Sequence, residues 1–328
     1  MLSIHENTMR KFITRIVILL LIIPIGYAAP TFEIDALGVK GGLIDGNLSA
    51  YLVKVVGTND YIALDAGTLA NGLLKTFPKD ESVNILQNHL PVYLISHAHF
   101  DHVMGLIIAQ PELKNHSTLL ARKETLDALQ NNIFNWAAWG NFLDSGVTPH
   151  LNYQHAQTLA LMTWTPLPNT QMSVKAFPLS HSIPSTAFLI RYQNQYLLYL
   201  GDTGADRIEK SNNLKNLWTA IYPLIQNKQL HTIMIECSFT NNQPDQQLSG
   251  HLNPALILEE LHQLAKLVNP NQVVNSLKGL TVIATHVKPR INNFNTDVVA
   301  TKVAEELEQG NNLGVKFIVI KQGDKVKG

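Results

Sequence analysis

Cysteine is all but missing: Cys237 stands alone among 328 residues. One thiol excludes an internal disulfide framework and any thiolate-rich zinc module. A transition metal bound by this chain must therefore rely on imidazole and carboxylate. Charge is scarce as well, at 15% of residues, and divides evenly into 25 basic and 25 acidic side chains. No single-signed field exists to gather a polynucleotide or an anionic membrane. Internal repeats are lacking, which excludes a solenoid, and no Pro/Gly/Ser-rich stretch divides the chain. Apolar residues are plentiful, at 45% of the sequence, enough to bury a sizeable core. Histidine is plentiful too, with 13 copies.

Met9-Arg10-Lys11 and Arg15 precede an all-apolar run over 16–23, which Pro24 and Gly26 break before the small residues Ala28 and Ala29. This order of basic, apolar and small residues is that of a secretory signal peptide. The run falls short of the about 20 residues that a membrane-spanning helix needs. The expected division is a signal peptide over 1–28, cut near Ala28-Ala29, and a mature domain over 29–328. Met9 starts a more conventional signal than Met1. With no cysteine near the cut, a lipid anchor is not expected, and a periplasmic protein without a stable membrane anchor is. Removing the segment takes away three basic residues and one acidic residue, leaving a net charge of −2.

Beyond residue 29, strand and helix patterns alternate. Apolar or alternating runs predict strands over 49–56, 61–64, 92–96, 174–179, 187–192, 196–200, 232–236, 281–285 and 315–320. Helical patterns cover 103–109, 123–132, 214–225, 254–268 and 298–307, with Pro254 in a first turn. Elements interleaved in this way share one core, so a single layered α/β domain is expected. Five aromatics, Phe134, Trp136, Trp139, Phe142 and Tyr153, stand close together within 131–170. They suit stacking on a flat base, but the spacing of Trp136 and Trp139 by three favours a helix face packed in the core.

Residues of one chemical kind gather at the ends of these strands. His97-Ala-His99-Phe-Asp101-His102 follows directly on the run over 92–96. On an extended chain His97 and His99 share one side, whereas Asp101 and His102 open the next helix and aim elsewhere. One loop thus feeds two adjacent metal sites. Three imidazoles and a carboxylate within six residues are too dense for a merely solvated turn. His181, Asp202, His286 and Asp65 each follow another predicted strand, where α/β folds gather their active sites. Any one of them alone reads as a cap or a satisfied histidine; the recurrence carries the weight.

The His-x-His-x-Asp-His motif, with a later aspartate and two later histidines, resembles the metallo-β-lactamase superfamily. More narrowly, the chain is similar to class II 3′,5′-cyclic nucleotide phosphodiesterases. The resemblance rests on Gly46-Asn-Leu-Ser-Ala-Tyr-Leu-Val53, Ala63-Leu-Asp-Ala-Gly-Thr68 and the stretch from His97 through Pro111. It continues in His181-Ser-Ile-Pro-Ser-Thr-Ala-Phe-Leu-Ile190, Glu236-Cys-Ser-Phe239, Gly250-His-Leu-Asn-Pro254 and Thr285-His-Val-Lys-Pro289. Phe100 and Gln110 depart from the usual leucine and serine, at positions that are not ligands. The resemblance implies an αββα sandwich holding two divalent metal ions, with zinc the best match to imidazole and carboxylate. It places one ion on His97, His99 and His181 and the other on Asp101, His102 and His286. Asp202 would lie between them, and Asp65 would orient an imidazole from behind.

The implied reaction is hydrolysis of a 3′,5′-cyclic nucleotide, cAMP or cGMP, to the 5′-phosphate. Two such ions would supply the charge that lowers the pKa of a shared water for attack on phosphorus, and the departing 3′-alkoxide would need a proton. His251, oriented by Glu236, is the candidate acid, and Asp101 completes the catalytic set. Capping the helix that follows is the competing reading of His251, and Lys288 either contacts phosphate or stands in solvent. Another hydrolase on the same scaffold, an RNase Z-like nuclease or a β-lactamase, is the alternative. A nuclease calls for a basic docking arm that this composition lacks, and β-lactamases often lack an aspartate in the place of Asp202. A metal-scavenging or ligand-sensing protein would need to have lost catalytic residues, and here the ligand set is complete. The expected partner is thus a small-molecule cyclic nucleotide rather than a nucleic-acid polymer, and a dimer stays open.

Overall fold

A computed structural model describes residues 31–113, 116–144, 155–291 and 296–328. The stretch read as a signal peptide, and Tyr153 of the aromatic group, lie outside them. Two seven-stranded sheets face each other. The first is built from β1 (Phe32–Gly38), β2 (Ala50–Val55), β3 (Ile62–Leu64), β4 (Val92–Leu94), β5 (Thr118–Ala121) and β6 (His155–Thr158). The second contains β7 (Trp164–Pro166), β8 (Ser173–Leu179), β9 (Ser185–Tyr192), β10 (Gln195–Leu200), β11 (Leu230–Glu236), β12 (Thr281–Thr285) and β13 (Lys316–Val319). The last strand, β14 (Lys325–Lys327), returns to the first sheet and pairs with β1, Ile34 opposite Val326.

Each sheet changes from antiparallel to parallel part-way across, at β3 in the first and β10 in the second. Parallel neighbours need crossover helices, which must lie on a sheet face. On the first sheet these are α1 (Ala70–Thr76), α2 (Lys79–Asn88), α3 (Phe100–Ala109) and α4 (Lys123–Asn132). After the short α5 (Asp206–Glu209), the second sheet carries α6 (Asn213–Gln226), α7 (Pro254–Val268) and α8 (Thr296–Gln309). Three apolar layers result. Ile34, Val53, Leu64, Phe188, Tyr199 and Met234 meet between the sheets. Leu52, Tyr93 and Leu119 pack outward against Leu73 and Leu106, and Leu198, Ile233 and Val282 pack outward against Trp218, Leu261 and Val303. The architecture is the expected αββα sandwich.

Strands covered on both faces lose alternation, so β10 and β11 read as unbroken apolar runs. The hairpin between β9 and β10 turns at Gln193-Asn194, with Gln193 left-handed at φ 53. Asn253 caps α7, its Oδ1 accepting from Leu256 N–H at 3.0 Å ahead of Pro254. Two boundaries differ from the sequence reading in a way that matters. The strand predicted over 92–96 stops at Leu94, and the helix predicted over 103–109 begins at Phe100. Ser96 to His99 are therefore free to turn into the space between the sheets.

The packed helix expected around Trp136 and Trp139 does not form. Trp136 is left-handed at φ 66, and the two indoles are 59% and 38% exposed. Asn135 is the cause: its Oδ1 accepts from the N–H groups of Ala137 at 2.9 Å and Ala138 at 3.0 Å, closing a turn that competes with helix. Phe134 and Phe142 supply the buried aromatic surface instead.

Candidate metal centre

Six strand ends open on one edge of the sandwich, and each delivers a polar residue. Asp65 follows β3, His97 and His99 follow β4, His181 follows β8, Asp202 follows β10, Glu236 ends β11 and His286 follows β12. Asp101 and His102 occupy the first turn of α3. Asp65 and His286 both adopt left-handed backbone, at φ 55 and φ 58. Non-glycine residues held there store strain, which concentrates at functional sites.

The potential ligand atoms fall into two groups about one carboxylate. His99 Nδ1 lies 3.0 Å from His97 Nε2 and 3.3 Å from His181 Nε2, with Asp202 Oδ2 3.8 and 3.9 Å from the latter two nitrogens. In the second group, His286 Nε2 lies 3.2 Å from His102 Nε2 and 3.3 Å from Asp101 Oδ2. Asp202 closes this group too, with Oδ1 3.3 Å from His102 Nε2 and Oδ2 3.1 Å from His286 Nε2. Ligands bonded at about 2.0–2.1 Å to a tetrahedral ion sit about 3.3 Å apart. The spacing and the donor types both fit divalent metal.

Protonation favours the same reading. Burial pushes His97 well below its ordinary range, lowers His99, and lowers His181 to about 4. These imidazoles are neutral near pH 7, the form that binds metal. Burial also opposes ionisation of Asp202, but His286 and His102 outweigh it and hold the carboxyl well below its usual range. Asp101 is likewise driven low against its burial, chiefly by the hydrogen bond to His286. His102 goes the other way, because Asp202 and Asp65 overcome burial and raise it.

Behind the ligands stands a second layer of contacts. Asp65 Oδ2 lies 2.7 Å from His102 Nδ1 and accepts from Tyr199 Oη at 2.6 Å and Ser96 Oγ at 2.7 Å. Ser96 N–H donates to the other oxygen at 2.7 Å. The Gly250 carbonyl holds His181 Nδ1 at 2.8 Å, and Gly42 N–H donates to Asp101 Oδ2 at 2.8 Å. Gly41 passes so close to His286 that a Cβ there would lie 2.3 Å from ring atom Cε1. Beside the second group, Glu236 Oε1 is 2.8 Å from His251 Nδ1, and Lys288 Nζ is 2.9 Å from His251 Nε2. The solvated alternative for Lys288 is thereby set aside, since the ammonium faces the site.

All nine residues proposed from sequence thus converge. Sequence reasoning missed Ser238, Tyr199 and the Gly41-Gly42 turn. Ser238 carried a signal, because residues two apart at a strand end share a side with Glu236. Tyr199 carried none: it meets Asp65 across 134 residues of chain.

Solved structures place this architecture in a known class. The metallo-β-lactamase fold protein YhfI from Bacillus subtilis aligns with a TM-score of 0.60 at 14% identity, over 92% of this chain and all of that one. Unliganded yeast PDE1 aligns with a TM-score of 0.78 at 22% identity, over 91% of this chain and 100% of its own. The fold is the metallo-β-lactamase fold, and the histidine–aspartate centre fits a metal-dependent hydrolase. Within it, residues 66–323 match the model of the class-II cAMP phosphodiesterases. A "probable 3′,5′-cyclic-nucleotide phosphodiesterase" of Yersinia pestis is 36% identical over 311 residues, 90% of this chain and 89% of that one. The chain belongs to the class-II cAMP phosphodiesterase family.

Proposed function

We propose that the protein hydrolyses 3′,5′-cyclic nucleotides to nucleoside 5′-phosphates at this centre, with two divalent ions, zinc by ligand chemistry, held by its seven histidine and aspartate ligands. The observation that carries the reading is the pair of ligand groups sharing Asp202, with the His251–Glu236 pair at their side. His97, His99 and His181 would hold one ion, Asp101, His102 and His286 the other. Divalent cations held there supply Lewis-acid charge that neutralises phosphate oxygens and acidifies water.

The chain's own residues handle the leaving group. Water adds to phosphorus, the bond from phosphorus to O3′ breaks, and O3′ needs a proton. Burial lowers the proton affinity of His251, but Glu236 more than offsets it and raises the imidazole above its ordinary range. Its Nδ1 is committed to Glu236, which leaves Nε2 to donate. Lys288 Nζ lies 2.9 Å from that nitrogen, so one proton is shared between the two, and the positive charge of the pair favours its release towards a developing alkoxide. A pocket of about 310 Å³ adjoins Asp101, walled by Leu43, Leu48 and the exposed ring of Phe100. It is the surface we assign to the base, since flat apolar rings stack on nucleobases.

Purified protein should release 5′-AMP from cyclic AMP, or 5′-GMP from cyclic GMP, and chelation should abolish turnover. Metal-loaded protein that leaves both substrates intact would sink the proposal. Export rests on the basic, apolar and small-residue order of 1–28. Among the described residues no helix is long and apolar enough to cross a membrane. Cell fractionation should recover activity in the periplasmic fraction; activity confined to the cytosol would reject export.

A further inference from the structure

We propose that Ser238 is a positioning residue that ties the metal-facing His286 to the carboxylate that also holds the acid His251. The inference rests on the reading of the centre as metal-binding. Ser238 lies two residues beyond Glu236, fully buried. Its Oγ donates to Glu236 Oε2 at 2.7 Å, and its backbone N–H reaches the same oxygen at 3.1 Å. The hydroxyl has one proton, and an ionised carboxylate at 2.7 Å takes it. Its lone pairs are then free to accept, and His286 Nδ1 stands 2.9 Å away. His251 Nδ1 is nearer to Glu236 Oε1, at 2.8 Å, than to the serine, at 3.2 Å.

The proton positions follow from that order. His286 donates Nδ1–H to Ser238, Ser238 donates to Glu236, and His251 donates Nδ1–H to Glu236. His286 is thereby fixed in the tautomer whose bare Nε2 faces Asp202, Asp101 and His102. The Gly41 backbone walls the ring from one side, so the imidazole is held both in tautomer and in rotation. One carboxylate thus orients a ligand and an acid together.

The opposite half of the centre repeats the device. Ser96 Oγ donates to Asp65 Oδ2 at 2.7 Å and lies 3.0 Å from His97 Nδ1, while Asp65 takes His102 directly. In both halves a buried carboxylate grips one imidazole itself and a second through a serine. Two independent loops converging on one wiring pattern argues that the serine hydroxyl is there to orient an imidazole, not only to fill space. Groups behind metal-bound histidines typically change metal affinity 10–100-fold when removed.

The test compares wild type with Ser238→Ala and Ser238→Thr, titrating zinc alone against a competing chelator and measuring kcat and KM with cyclic AMP. Circular dichroism in chelator monitors folding. Ser238→Ala should weaken one of two zinc-binding steps about 10–100-fold and leave the other. It should also lower kcat more than it changes KM, because Glu236 and His251 are loosened. Ser238→Thr, which keeps the hydroxyl, should restore both. A folded Ser238→Ala protein with both wild-type steps overturns the proposal, as does a folded threonine variant that behaves like alanine. Wild-type protein that binds no zinc would instead overturn the metal-centre reading and this inference with it.

Discussion

His97, His102, His181, His251 and His286 each have contacts at both ring nitrogens, and that division explains what single substitutions should do. His251 faces Glu236 with one nitrogen and Lys288 with the other, and lies outside the two ligand groups assigned to metal. His251→Ala should lower kcat for cyclic AMP about 10²–10⁴-fold, the usual worth of a general acid, while bound metal stays at the wild-type amount. Turnover assays paired with metal analysis decide this; full kcat would remove the acid role. Gly41 illustrates a constraint of space. A Cβ there would approach three ring atoms of His286 to 2.3–2.8 Å. Gly41→Ala should displace the imidazole and weaken zinc binding by about tenfold or more. Chelator competition with unchanged affinity would show that the ring can shift freely.

At the level of elements, the pairing of β1 with β14 buries Asp35 and sets Lys325 Nζ 3.4 Å from its Oδ1. Burial raises the Asp35 pKa, and Lys325 only partly offsets it. A carboxyl raised in the folded state binds protons more readily there than in the unfolded chain. Its contribution to stability is full below the unfolded value of about 3.9 and is lost as pH rises through the higher folded value. Asp35→Asn removes that loss, so its urea midpoint should gain on wild type as pH is raised from 4 to 7. A midpoint difference that stays flat with pH would contradict the assignment. The same strand pair shows why some elements escaped the sequence reading. Phe-Glu-Ile-Asp-Ala puts acids where a buried strand is expected to be apolar, and Lys-Val-Lys at the end of the chain reads as a charged tail. Neither pattern registers until the two strands face each other. The loop at Trp136 failed for a local reason, since one asparagine side chain redirected two backbone N–H groups.

For the molecule as a whole, the centre lies where both sheets and several helices deliver residues, so bound ions should clamp the two layers together. Free ion at about 100 times its dissociation constant stabilises a folded state by about 2.7 kcal/mol. For a chain of this size that corresponds to a melting temperature about 4 °C higher. Calorimetry with and without chelator should show that drop, and an unchanged melting temperature would mean the layers hold equally well without metal.

The sequence by itself determined the chemistry and most of the scaffold. Doubly covered strands leave unbroken apolar runs, and dense His and Asp groups at their ends survive any detail of packing. Covalent spacing already separates His97 and His99 from Asp101 and His102. Only the tertiary structure decided how these groups are held. Tyr199 against Asp65, Ser238 between Glu236 and His286, and Gly41 against the His286 ring join residues far apart in the chain. Hydrogen bonds across such separations have no periodicity, because their partners are chosen by where two sheets meet rather than by what lies next along the backbone.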